Sequence, residues 1–76
     1  MTREELRLWF ALHGWQRDAW GHYKKEMSSG TVYRMKFSKR VLRYERRRSD
    51  GVWMKVRSGY YSNLSLTDEG KLAGMA

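Results

Sequence analysis

Cysteine and proline are both absent from this chain of 76 residues. Without cysteine neither a disulfide nor a thiolate zinc site can form, and two histidines make a poor structural metal cage. No metal and no cofactor are therefore expected. No stretch approaches the roughly eighteen apolar residues of a membrane-spanning helix. The opening Met1-Thr2-Arg3-Glu4-Glu5 lacks the charged-then-apolar layout of a secretory signal, so a cytoplasmic location without a membrane partner is the expectation. Low-complexity stretches and internal repeats are missing too, which points to one domain over residues 1–76. The seven glycines are dispersed, and none builds a phosphate-cradling loop.

A domain this small is only marginally stabilised by burial, and the usual staples are lacking. Aromatic mass stands in for them: four Trp, five Tyr and two Phe, each able to bury a large area. Self-association would add to that burial.

Acidic charge is scarce where basic charge is dense. Between Lys24 and Arg57 twelve Lys/Arg face three acids, a net +9, whereas the remaining residues carry four Lys/Arg and five acids, a net −1. A field of this sign favours a polyanion: nucleic acid, an acidic protein partner or an anionic surface.

Thr2-Arg3-Glu4-Glu5 has the form of a capping box. Leu6, Trp9, Phe10 and His13 follow at helical spacing, Leu8 and Leu12 widen the stripe, and Gly14 is a natural stop. These signals predict an amphipathic helix over residues 3–13, with His13 a core or cap residue.

Residues 20–58 alternate with period two. A three-residue loop Ser28-Ser29-Gly30 pairs Tyr23 with Met35 and Met27 with Thr31. A second loop, Ser49-Asp50-Gly51, pairs Tyr44 with Val56 and Glu45 with Lys55. Between Phe37 and Leu42 the apolar parity flips, through an even-length turn near Ser38-Lys39 or a bulge. Tyr60, Leu64 and Leu66 suggest a further extended piece, and Thr67–Gly70 a turn. Residues 15–27 fit helix as well as strand. The strand is preferred because Gly21 would cost a helix about 1 kcal/mol relative to Ala.

The fold class expected is α+β, an N-terminal amphipathic helix packed on a small three- to four-stranded antiparallel sheet. Its inner face would hold Tyr23, Met27, Tyr33, Met35, Phe37, Leu42, Tyr44, Val52, Met54 and Val56. Parity then assigns Trp20, His22, Lys24, Glu26, Val32, Arg34, Lys36, Arg43, Glu45, Arg47, Trp53, Lys55 and Arg57 to the outer face.

That outer face mixes cations, which neutralise phosphates, with Trp rings, which stack on unpaired bases. A half-exposed sheet needs polar residues in any case, but this accounts for neither the sign bias nor the two Trp. The expected function is a small, basic, non-enzymatic nucleic-acid-binding domain, with RNA or a single strand preferred over duplex. Its binding residues would be Trp20, His22, Lys24, Arg34, Lys36, Arg43, Arg47, Trp53, Lys55 and Arg57. The alternative is a protein–protein or homodimer module.

His13-Gly14-Trp15, followed by Trp20-Gly21-His22-Tyr23, resembles the HicA family of toxin ribonucleases. In that family a Gly-Trp follows the first helix and a strand carries the catalytic histidine. The resemblance covers residues 12–24 and implies a general acid–base role for His22 alone. Trp20-Gly21-His22 stands here where the family has Gly-Ser-His, and no counterpart of its C-terminal helix is seen.

Overall fold

The computed structural model describes residues 1–76. Helix α1 spans Arg3–Leu12 and is capped by Thr2. The capping box closes in both directions: the Glu5 amide donates to Thr2 Oγ1 at 3.2 Å, and the Thr2 amide donates to Glu5 Oε1 at 2.9 Å. His13 is the C-cap, and Gly14 follows at φ +79°, in the left-handed region that ends helices. Leu6 and Phe10 are buried, whereas Leu8 and Leu12 are exposed. The apolar stripe is therefore narrower than its residue types suggest.

Strands β1 (Gln16–Arg17), β2 (Tyr23–Glu26), β3 (Val32–Phe37), β4 (Val41–Arg47) and β5 (Trp53–Tyr60) form one antiparallel meander in chain order. A single 3-10 turn at Tyr61–Asn63 leads into a two-stranded sheet, β6 (Ser65–Leu66) with β7 (Leu72–Ala73). The class is α+β as expected, but the main sheet has five strands rather than three or four. The additional strand is β1, and two residues are too short to leave a periodic signature.

Most of the register follows from the alternation. Tyr23 pairs with Met35, and the Met27 amide donates to Thr31 O at 2.8 Å across the Ser28–Gly30 loop. Phe37 pairs with Leu42 through the even-length turn, with the Ser38 amide donating to Val41 O. Glu45 pairs with Lys55 across the Ser49–Gly51 loop.

One pairing departs from expectation. Tyr44 pairs with Arg57, not Val56, because the ladder shifts between Tyr44 and Glu45 and leaves Val56 as an extra, unpaired residue. A bulge of this kind reverses side-chain parity along the rest of its strand. Arg57 therefore moves from the outer face to the inner one. Val52, Met54 and Val56, expected inside, are exposed on this edge strand.

The core is Leu6, Phe10, Tyr23, Met35, Leu42 and Leu64. Around the Phe10 ring stand Tyr23 at 5.3 Å, Trp15 at 5.5 Å and Phe37 at 6.0 Å between centroids. Hydrogen bonds to backbone carbonyls tie both chain ends to the body of the fold. The N-terminal ammonium donates to Tyr61 O and Leu64 O, Trp9 Nε1 donates to Gly70 O, and Ser58 exchanges two hydrogen bonds with Ala76. The tail can cross β5 because position 59 is glycine. A Cβ there would lie 2.8 Å from Gly74 O.

Candidate nucleic-acid interface

Cross-strand pairing sets Lys24, Arg34, Glu45 and Lys55 in one row across the outer face. A carboxylate beside cations on neighbouring strands is attractive, and the row closes around it. Glu45 is only 4% exposed. Its Oε1 accepts from Arg34 Nε at 2.8 Å and Nη2 at 2.6 Å, and its Oε2 lies 3.0 Å from Arg43 Nε. Glu45 was expected as an ordinary outer-face residue; it is instead a buried anchor for two arginines.

Trp53 stands beside this anchor. The Arg34 guanidinium lies 4.2 Å from its ring centroid, and Lys24 Nζ and the Arg47 guanidinium lie at 5.9 Å. Cations are drawn to the electron-rich face of an indole, which accounts for a half-buried tryptophan in a basic sheet. Lys24 also approaches Asp18 Oδ2 at 3.6 Å. Of the seven cations expected on this face, Lys24, Arg34 and Arg43 thus have acidic partners, and Arg57 has left it. Lys36, Arg47 and Lys55 remain without one.

The unpaired cations border open depressions. One of about 300 Å³ is lined by Lys36, Ser38, Val41, Arg43, Lys55 and Ser58. Another, of about 330 Å³ at the hairpin tip, is lined by Thr31, Arg46, Arg47, Arg48 and Ser49 and has no apolar wall. Arg48 is held by Asp50 at 3.0 Å.

Trp20 is not a strand residue. It lies in a turn built on Asp18, whose Oδ1 accepts from the amides of Trp20 and His22, each at 2.9 Å. Burial raises the Asp18 pKa, but those two amides and Lys24 outweigh it and hold the carboxyl below its ordinary range. Gly21 completes the turn at φ +83°. Trp20 is left 84% exposed, with no packed ring or cation beside it.

His22 follows the turn and packs against the end of β3, where its Nδ1 accepts from the Phe37 amide at 3.2 Å. Burial first, then Arg34 and Lys36, push its pKa below the ordinary value against the opposing pull of Asp18 and Glu45. The neutral ring accepting at Nδ1 carries its proton on Nε2. It can donate a hydrogen bond outward, but it has no free lone pair with which to act as a base. This geometry gives His22 a structural part in the turn–strand junction.

Comparison with protein-family models, curated proteins and solved structures finds no match for the chain.

No helix is long and apolar enough to cross a membrane, and no group of His, Asp and Glu side chains is placed to hold a metal ion. Sequence reasoning brought Lys24, Arg34, Lys36, Arg43, Arg47, Trp53 and Lys55 onto one face, and the structure assembles them there. It missed the sequestration of Arg34 and Arg43 by Glu45. The signal was present: Glu45 is the cross-strand partner of both Arg34 and Lys55, and it lies two residues from Arg43 on the same strand and face.

Proposed function

We propose that the chain is a non-enzymatic nucleic-acid-binding domain that uses the outer sheet face, with single-stranded or irregular RNA preferred over duplex. The observation that carries this reading is the set Lys36, Arg47 and Lys55, cations without acidic partners on the sheet face that also carries the cation-ringed Trp53. Phosphates would meet these charges, and the Trp20 ring offers a free face for an unpaired base. Helix α1 is a poor groove reader: it has acids in its first turn, no basic residue in its last, and it packs on the opposite face. A basic sheet surface together with an exposed aromatic side chain in a turn suits unstacked bases better than a closed duplex.

Titrating a fluorescent single-stranded RNA at several salt concentrations tests the proposal. About three phosphate contacts give a log–log slope near −2, taking about 0.7 per contact. Absence of binding at about 0.1 M salt would end the nucleic-acid reading.

A second reading rests on a different observation. Edge strand β5 exposes Val52, Met54 and Val56 beside an incomplete ladder, the kind of edge that pairs with another chain. Lys55 and Arg57 on the same strand oppose pairing with a second copy and favour an acidic partner strand. Light scattering at two protein concentrations decides the homodimer version: an unchanged monomer mass excludes it.

A further inference from the structure

The Val56 bulge does more than interrupt a ladder. It turns Arg57 onto the inner side of the sheet, where a cavity of about 410 Å³ opens between the sheet, α1 and the C-terminal segment. Trp9, Trp15, Tyr44, Leu72 and Met75 are among its walls, and Arg57 is the only charged residue lining it. Its volume is within the range of small-molecule sites, about 300–1,000 Å³.

No partner within the chain accounts for Arg57. The acids engage Arg7, Lys24, Arg34, Arg43, Arg48 and Lys71 and leave Arg57 without an ion pair. Bulges recur where a strand re-aims a side chain at a ligand. A guanidinium at the rim of an apolar space calls for an anion, and its fork matches a carboxylate or phosphate edge. Three aromatic walls call for a flat ring.

We propose that this cavity binds a planar aromatic ring bearing an anionic group, with Arg57 as the anion-binding residue and Trp9, Trp15 and Tyr44 as the ring-binding walls. The site lies on the face opposite Lys36 and Lys55, so it stands or falls independently of the nucleic-acid reading.

The test is a titration of the intact chain with 2-naphthoate, followed by NMR at the four tryptophan indole N–H signals. Saturable shifts are expected at Trp9 and Trp15, with Trp20 and Trp53 unmoved. Arg57→Gln should weaken binding about tenfold or more, the usual scale for losing a hydrogen bond to a charged group. Arg57→Lys should recover part of the affinity, and Lys55→Gln none of the loss. Neutral 2-naphthalenemethanol should bind wild type and Arg57→Gln alike. Adenosine monophosphate identifies the source of the ligand: displacement of naphthoate points to a nucleotide, and failure to displace it to a free aromatic acid. Equal naphthoate affinity in wild type and Arg57→Gln would overturn the proposal. So would shifts confined to Trp20 and Trp53, or no saturation in the millimolar range.

Discussion

The guanidinium of Arg34 lies 4.2 Å from the Trp53 ring centroid while donating two hydrogen bonds to the buried Oε1 of Glu45. One side chain thus joins an aromatic ring and a carboxylate that belong to neighbouring strands. The arrangement explains how a buried acid survives on a nominally solvent-facing sheet: it is fully paired, and the hydrocarbon and planar parts of its partners cover it.

Glu45→Gln should therefore destabilise the domain by about 1–2 kcal/mol. Hydrogen bonds to charged groups contribute about 1.5–3 kcal/mol, reduced here because Arg43 is half exposed and its share is screened. For a chain of this size the melting temperature should fall by about 5 °C or more. An unchanged melting temperature would show that Glu45 is not the anchor the geometry describes.

Gly59→Ala tests the crossing of the tail over β5. Its new Cβ would press on Gly74 O at 2.8 Å and Met75 Cα at 3.3 Å, both backbone atoms that cannot swing aside. Overpacking of this kind costs about 1–3 kcal/mol. The amides of Ser58 and Ala76, which now bond each other's carbonyls at 2.9 Å, should exchange with solvent faster in the variant. Unaltered protection of both amides would refute the close approach.

The pattern of legible and illegible features has a physical basis. Tyr23–Met35, Phe37–Leu42 and Glu45–Lys55 were readable because loop length and face parity together leave one register for each hairpin. The Val56 bulge was not readable. Val52, Met54 and Val56 alternate as an inner face would, but they lie on an edge where apolar residues are not required to be buried. Two consequences follow from that one residue: face parity alone puts Arg57 on the outer face, and it gives no sign of the aromatic cavity that Arg57 lines. Trp20 was misplaced for a related reason, since the Asp18 turn breaks the strand before Tyr23 and ends the alternation there.

His22 should make stability depend on pH in one direction. Its folded pKa lies below the ordinary value of about 6.5, so the unfolded chain takes up a proton first as pH falls. The contribution is complete above about pH 6.5 and is lost as pH falls through the folded pKa. His22→Asn keeps an acceptor for the Phe37 amide but cannot titrate. The melting temperature of wild type should drop between pH 7.5 and pH 5 by more than that of His22→Asn. Identical drops would mean that His22 titrates alike in the folded and unfolded chain, so that the Phe37 hydrogen bond, which a protonated ring cannot accept, does not hold the ring neutral.

Trp20 and Lys55 separate a binding site from diffuse attraction. Trp20 is too exposed for Trp20→Ala to change stability beyond about 0.5 kcal/mol in either direction. If its ring stacks on a base, the same change should weaken single-stranded RNA binding by about 1–3 kcal/mol and leave the salt slope alone, because stacking releases no counterions. Lys55→Ala should do the reverse in kind, lowering affinity and flattening the slope by about 0.7, the share of one phosphate contact. Arg57→Ala removes the same charge from the opposite face and should leave both quantities nearly unchanged. Equal losses from Lys55→Ala and Arg57→Ala would reduce the interaction to net charge. A Trp20→Ala variant that binds like wild type would remove base stacking at the Asp18 turn while leaving the cations of the sheet to account for the affinity alone.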